Sequence, residues 1–308
     1  MGLSYSVIIP VYNSVESVNE LTTRIEKVFG ELGESFEIIY INDYSPNPSV
    51  WPNLKRLAAE NTFVKSIHLM RNFGKPGAIF CGFQYAVGRY IITMDDDLQH
   101  LPEEIPKLIA KQDHDVVIAQ FPQKKHSAFK RITSRWKAWF DYKFIHKPKH
   151  VYNSPYKLIR REVIDAVKGL NTSHPYVSAM LFTSTASITN VMMEHAPRKY
   201  GKTGYTLGKM IKQFSNLLIN NSSFLLQLIS YMGFLLALIS FGLGAYLIFK
   251  KIFIGTSVSG WTSLMAVLLF TGGMVLLAMG VVGEYLIRIV SGIERKPSFI
   301  VREKSSEA

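Results

Sequence analysis

Through the first 120 residues, short apolar runs alternate with longer stretches in which apolar positions recur every three or four residues. The runs at 6–11, 37–42, 65–69, 90–94 and 115–119 read as strands, and the segments 17–32, 50–61 and 77–87 between them as helices. That alternation predicts an α/β fold, a mostly parallel sheet with helices on both faces. Ligands of such sheets bind outside the carboxyl ends of the strands. Asn13, Asp43 and the triplet Asp95-Asp96-Asp97 all fall at such ends.

The C-terminal third has a different pattern. Residues 213–249 and 252–283 carry no charge, and only Lys250 and Lys251 separate them. Each stretch exceeds the ~20 residues needed to cross a hydrocarbon core of ~30 Å. The expected organisation is a globular domain over 1–200, an amphipathic interface-lying segment over 201–222 and a two-helix transmembrane hairpin over 223–290. The hairpin's spans are expected near 224–249 and 263–287, with a loose polar tail over 291–308. Four basic residues before the hairpin (Lys199, Lys202, Lys209, Lys212) and five after it (Arg288, Arg295, Lys296, Arg302, Lys304) face two in its turn. This bias places the domain and both termini in the cytoplasm. The chain starts a strand at once rather than with a signal peptide, and its single Cys81 fits a reducing compartment.

The chain is 308 residues long and has a formal net charge of +12. Twelve Lys/Arg against two acids between 124 and 162 account for +10 of it. Trp136, Trp139, Phe140 and Phe144 are interleaved there, which suits nucleic acid or an anionic bilayer. Beside two membrane spans the bilayer is the expected partner, rather than nucleic acid, with a solvated helix face as the alternative. Gly242, Gly244, Gly272 and Gly273 leave room for helix association, so a homo-oligomer is a further expectation.

The aspartate triplet carries the candidate chemistry. Three adjacent carboxylates after a buried strand repel one another and cost desolvation unless a cation is present. With the Gln99 amide two residues on, they suit a hard divalent ion that also grips phosphate oxygens. Neither a Gly-x-Gly-x-x-Gly fingerprint nor a P-loop occurs. No histidine shows metal-ligand spacing.

Several blocks together resemble the family 2 glycosyltransferases, and among them the polyprenyl-phosphate glycosyltransferases. They are Val7-Ile8-Ile9-Pro10-Val11-Tyr12-Asn13, Ile41-Asn42-Asp43-Tyr44-Ser45-Pro46, Arg71-Asn72-Phe73-Gly74-Lys75 and the stretch from Met94 to Pro102. Pro197-Arg198 and Gly201-Lys202-Thr203 are similar to a phosphate-contacting loop. Gly260-Trp261-Thr262-Ser263-Leu264-Met265 and Gly283-Glu284-Tyr285-Leu286 resemble that subgroup's membrane hairpin. The chain departs from the family's usual pattern at Ser14 and Pro76, where Glu is common, at Gln120, and at Gly204, where Lys is usual.

The resemblance implies a GT-A-like fold and inverting transfer of one sugar from a UDP- or GDP-linked donor to a polyprenyl phosphate, with Mg²⁺ or Mn²⁺ as cofactor. It implies a bacterial inner-membrane enzyme. Asp97 and Gln99 would be metal ligands, and Asp95 would hold the ribose or sit behind the metal ligands. Pro10, Tyr12, Asn13, Asp43, Arg71, Lys75 and Asp96 would line the donor site. Arg198 and Lys202 would position the acceptor phosphate, with Arg131 and Arg135 as weaker lipid-phosphate contacts. Two other readings are a catalytically silent nucleotide- or lipid-binding scaffold and a processive polysaccharide synthase. The second is disfavoured because Ile132 stands where that class has the Gln of Gln-x-x-Arg-Trp.

Overall fold

The computed structural model describes residues 3–122, 148, 151–169, 175–197, 235, 253, 260–293 and 297–305. The chain divides into two units: Met1–Thr206 with Arg295–Ala308, and Leu207–Glu294.

In the first unit β1 (Tyr5–Val11), β2 (Phe36–Asn42), β3 (Val64–Leu69) and β4 (Tyr90–Thr93) form the predicted parallel core. Helices α1 (Glu16–Leu32), α2 (Val50–Glu60) and α3 (Gly74–Tyr85) connect them. The short α4 (Ile105–Ile109) leads to β5 (Val116–Gln120). Then come β6 (Lys157–Arg160), α5 (Arg161–Gly169), α6 (Val177–Ser184), β7 (Ile188–Met192) and, after the second unit, β8 (Val301–Lys304). Among the described residues the sheet order is β7-β5-β6-β4-β1-β2-β3-β8.

Two features correct the expected all-but-parallel sheet. β6 inserts antiparallel between β4 and β5, and β8 adds antiparallel to the far edge of β3. The sheet is therefore mixed. β8 also overturns the loose tail expected over 291–308, for the Met70 N–H donates to the Ile300 carbonyl at 2.9 Å. The Trp51 Nε1–H and Lys55 ammonium both donate to the Glu303 carboxylate, at 2.9 and 3.1 Å. Residues at both ends of the chain thus belong to one sheet.

β1 is buried along its whole length. Each Val or Ile it removes from water contributes about 1.5–3 kcal/mol. α3 lies unusually close over it, because a Cβ at Gly82 would overlap the Ile8 side chain. α3 begins at Gly74, three residues earlier than its apolar spacing suggests. Pro76 is accommodated in its first turn, where the missing N–H has no carbonyl to meet.

In the second unit α7 (Trp261–Ile293) runs for 33 residues and exposes Val267, Leu268, Phe270, Val275, Met279 and Leu286. Over the residues whose side chains are described, no helix is long and apolar enough to cross a membrane. The side chains of α7 are described only at intervals, and the expected first span, 224–249, lies almost wholly outside the described residues.

Candidate functional site

The site forms where β1 and β4 part company. Their ladder ends at Ile8 opposite Thr93, with one further bond from the Met94 N–H to the Ile8 carbonyl at 3.2 Å. Beyond it stands Pro10, whose alternation with Ile8 points its position in the ladder toward β4. A proline can sit in this central strand because the neighbour it would have bonded has already diverged. β2 lies on one side of β1 and β4 on the other, so the strand order reverses here. A crevice at such a reversal is where open α/β sheets take ligands.

The backbone at the rim is strained. Among the described residues the non-glycine positions with positive φ are Asn13 at 66°, Tyr44 at 51° and Leu98 at 61°. They follow β1, β2 and β4 in turn, and each costs of order 1–3 kcal/mol. Side-chain bonds hold these turns. The Asn13 N–H donates to Ser45 Oγ at 3.0 Å, and Asn13 Oδ1 accepts from the Asn47 N–H at 3.2 Å. Asn42 Oδ1 accepts from both the N–H and the hydroxyl of Ser45, at 3.1 and 2.7 Å. Asn42 therefore makes the local turn and leaves Asp43 for another partner.

Asp43 is 4% exposed and accepts the Phe73 N–H at 2.7 Å. Burial pushes its carboxyl up to about 6, against the opposing pull of the Phe73 and Gly74 N–H groups. Tyr12 and Tyr44, each about half exposed, stand at the strand ends beside it. Arg71 lies over the Phe73 ring, 4.7 Å from its centre.

The three aspartates take separate tasks. Asp95 forms an ion pair with Lys75 of α3. Burial alone would raise the Asp95 carboxyl, yet Lys75, then His100 and Lys157, outweigh it and hold the group below its usual value. Asp96 reaches across the crevice, accepting the Tyr12 N–H at 3.3 Å and a hydrogen bond from the Ser14 side chain. Burial drives Asp96 up to about 6 in spite of these bonds, with Asp95 and Asp97 pushing the same way. Asp97 Oδ1 accepts the Gln99 N–H at 3.2 Å around the left-handed Leu98.

Among the described residues no group of three His, Cys, Asp or Glu could hold an ion. The Asp97 carboxylate and the Gln99 amide nevertheless offer two hard oxygens two residues apart on one tight turn. That donor set fits a Mg²⁺ or Mn²⁺ ion, whose remaining ligands would be substrate phosphates and water.

Packing behind the aspartate turn depends on residues that motif reading passes over. His100 is 3% exposed, and its Nδ1 accepts the Asp95 N–H at 3.0 Å. Its ring stacks between Tyr156, centred 5.0 Å away, and Phe121, at 5.6 Å. The turn is anchored further on by Arg24, whose Nε and Nη2 donate to the two Glu103 oxygens at 2.8 and 2.6 Å. The Ala196 N–H donates to the Gln99 carbonyl at 3.2 Å, which brings the chain before Pro197 against the aspartate turn.

Pro10, Tyr12, Asn13, Asp43, Asp95, Asp96, Asp97 and Gln99 thus meet at one crevice, with Lys75 ion-paired into it. Arg71 is exposed on the loop that joins β3 to α3. Arg131, Arg135, Arg198 and Lys202 lie outside the described residues. His100 and Lys157 escaped sequence reasoning. For Lys157 the available signal was a lone lysine inside the apolar run Tyr156 to Ile159, at a position that strand alternation turns inward.

Comparison with known proteins identifies the family and supports the fold. Glycosyl transferase family 2 matches residues 6–168. Over 301 residues the chain is 31% identical to the undecaprenyl-phosphate 4-deoxy-4-formamido-L-arabinose transferase of Klebsiella pneumoniae subsp. pneumoniae, covering 96% of this chain and 92% of that protein. Among solved structures, glucosyl-3-phosphoglycerate synthase from Mycobacterium tuberculosis, in complex with Mn²⁺, UDP and phosphoglyceric acid, matches with a TM-score of 0.53 at 17% identity. That match covers 71% of this chain and 78% of the other. The same synthase with Mn²⁺ and UDP-glucose gives a TM-score of 0.52 at 17% identity, covering 71% and 79%. Likeness at that identity speaks for the fold, a GT-A-like mixed sheet.

Proposed function

Because the chain belongs to glycosyl transferase family 2, in its polyprenyl-phosphate subgroup, we propose that it transfers one sugar from a UDP- or GDP-linked donor to a membrane polyprenyl phosphate with inversion. The observation that carries this reading is the crevice between β1 and β4, where Asp43, Asp95, Asp96 and Asp97 converge from two strand ends.

In this reading Asp43 accepts an N–H of the base, between the exposed rings of Tyr12 and Tyr44. Asp95 holds the ribose. Asp97 and Gln99 would hold Mg²⁺ or Mn²⁺ together with the donor's diphosphate. The ion, when bound, neutralises charge that builds on the departing nucleoside diphosphate. Lys75, 43% exposed at the mouth, and Arg71 serve the same phosphates. Asp96 takes no direct part; it closes the rim by tying the turn after β1 to the metal turn.

A phosphate monoester has a second pKa near ~6, so a polyprenyl phosphate is largely dianionic at neutral pH. It is already a nucleophile and needs no general base. Two anionic substrates repel each other, so the protein must supply cations that fix the acceptor in line. Arg198 and Lys202 are assigned that role, with Arg131 and Arg135 on the lipid phosphate. The described chain up to Pro197 lies beside the metal turn, which supports the choice of Arg198.

We assign residues 223–290 to a hairpin that spans a bacterial inner membrane twice, with the catalytic domain and both termini on the cytoplasmic side. The support is the uncharged sequence of 213–249 and 252–283 and the apolar side chains exposed on α7. The chain leaves one unit at Thr206 and returns to it at Arg295, so an even number of crossings fits. A panel of UDP- and GDP-sugars with undecaprenyl phosphate and Mn²⁺, scored for glycolipid, tests the function. No product from any donor in the panel would sink it.

A further inference from the structure

Three rings form a column at the carboxyl ends of β2 and β3. His68 lies between Trp51 of α2, centred 5.1 Å away, and Tyr44, at 6.0 Å, with planes tilted by 21° and 8°. Asn42, His68 and Glu303 are cross-strand partners on β2, β3 and β8, so their side chains share the sheet face that α2 covers. The column is fixed at its base. Asn42 Oδ1 is taken by Ser45, and the Asn42 Nδ2 group donates to His68 Nδ1 at 3.0 Å. Trp51 is held by its Nε1–H bond to Glu303, with the Lys55 ammonium 5.7 Å from its ring centre.

The other end of the column is open. Tyr44 is 46% exposed, and among the described residues its ring stacks on His68 alone. Trp51 and His68 suffice to pack α2 on the sheet. Yet the chain holds a bulky side chain at φ 51°, where glycine would sit without strain. Asp43 precedes this ring, and Tyr12, also half exposed, follows the neighbouring β1. A braced, half-exposed ring beside a carboxylate acceptor suits a flat ligand with an N–H on its edge. A nucleobase is such a ligand, offering its face to the ring and its edge to Asp43.

We propose that the outer face of Tyr44 carries the base of the donor, and that His68 is the positioning residue that holds the ring in place. The proposal rests on the donor site described above and deepens it. Asp97, Gln99, Lys75 and Arg71 are assigned to the diphosphate, so the column should govern the nucleoside alone. It also makes β8, through Glu303 and Trp51, a support of the base site.

The full-length protein with Mn²⁺ tests this, with binding of UDP, GDP and inorganic pyrophosphate read by calorimetry. H68A and Y44A should each weaken the preferred nucleotide about tenfold and leave pyrophosphate within about twofold. The double variant should be little weaker than either single one. H68F keeps a ring and should bind the nucleotide within about threefold of the unmodified protein. H68N keeps an acceptor for Asn42 but no ring, and should resemble H68A. Normal nucleotide affinity in Y44A, or equal losses of nucleotide and pyrophosphate in H68A, would overturn the proposal. So would additive losses of about a hundredfold in the double variant, or tighter binding by H68N than by H68F. If H68A does not fold, Y44A on the surface still decides whether the base lies on that ring, and H68F against H68N decides the part of His68. If the unmodified protein binds neither nucleotide, the donor site itself is wrong; if it binds one and Y44A binds it equally well, the site stands and this proposal alone falls.

Discussion

Asp43 accepts the Phe73 N–H at 2.7 Å, so the end of β2 is fastened to the residue that precedes α3. The bond is made at the cost of burying a carboxylate, whose pKa rises to about 6. A folded-state pKa raised above the unfolded value means that the folded protein binds the proton more tightly. The ionised group then lowers stability above about pH 6, and acidification through that value relieves the cost. Asp43→Asn keeps an acceptor for Phe73 and removes the charge. It should raise the melting temperature by a few degrees at pH 7.5, with little change at pH 4.5. Nucleotide affinity at pH 7.5 should fall about tenfold or more, because a carboxylate is the stronger acceptor. Calorimetric melts at the two pH values and titration with UDP or GDP check both outcomes; a variant that melts lower at pH 7.5 would remove the strain assigned here.

Asp97 and Asp96 are neighbours with opposite duties. Asp97→Ala removes an oxygen from the proposed ion and should reduce transfer at least a hundredfold. Raising Mn²⁺ should recover little of this, and the melting temperature should stay within a few degrees. Asp96→Asn preserves an acceptor for the Tyr12 N–H and the Ser14 hydroxyl, so its loss of activity should stay below about tenfold. Metal titrations of initial rate separate the two. Near-normal turnover in Asp97→Ala would withdraw that residue from the metal site.

His100 gives a test of hydrogen bonding against bulk. Its Nδ1 accepts the Asp95 N–H, and its ring fills the space between Tyr156 and Phe121. Leucine fills much of that space but offers no acceptor, leaving a buried N–H unpaired at a cost of about 1–3 kcal/mol. Asparagine can place Oδ1 near the former Nδ1 but fills less of the space. His100→Asn should therefore retain more activity than His100→Leu, by about tenfold, even if it melts lower. If Leu is the more active substitution, the ring serves packing alone.

The legible and illegible parts of this protein divide along physical lines. β1, β2, β4 and β5 announce themselves because each is largely a run of apolar residues buried on both faces, while β3, with Lys65 and His68 half-buried, shows through its flanking helices and Val64, Ile67 and Leu69. The carboxylates that follow β2 and β4 stand out against those runs. β6 is hidden, since Lys157 interrupts its apolar run and Arg160 leads straight into α5. β7 is half-buried, so Ile188 to Met192 lack a strong pattern. β8 is built from Val301, Arg302, Glu303 and Lys304, and only a partner more than 230 positions earlier makes them a strand. The same holds within the site. Asp43 and the aspartate triplet are visible as charges in the wrong company, whereas His100 acquires its role solely from what packs around it.

The edge position of β8 leads to the last expectation. Removing residues 297–308 takes away the antiparallel ladder with β3 and the Phe299 ring beside Phe80. It also removes the Glu303 carboxylate that accepts from Trp51 and Lys55. The unpaired edge of β3 would then be open to other chains. The loss reaches toward the donor site as well, because the Ser298 carbonyl lies so close to Gly77 that a Cβ there would come within 2.9 Å. Gly77 is two residues from Lys75 on the first turns of α3. The truncated protein should melt at least 5 °C lower, aggregate as concentration rises, and bind nucleoside diphosphate more weakly. Glu303→Gln should show only a small part of the destabilisation, because its ion pair with Lys55 is half exposed and the bond from the Trp51 Nε1–H can still be made to the amide oxygen. Light scattering and melting curves on both variants decide the matter. A truncated protein as stable and as monodisperse as the full chain would mean that β8 leans on the sheet without supporting it.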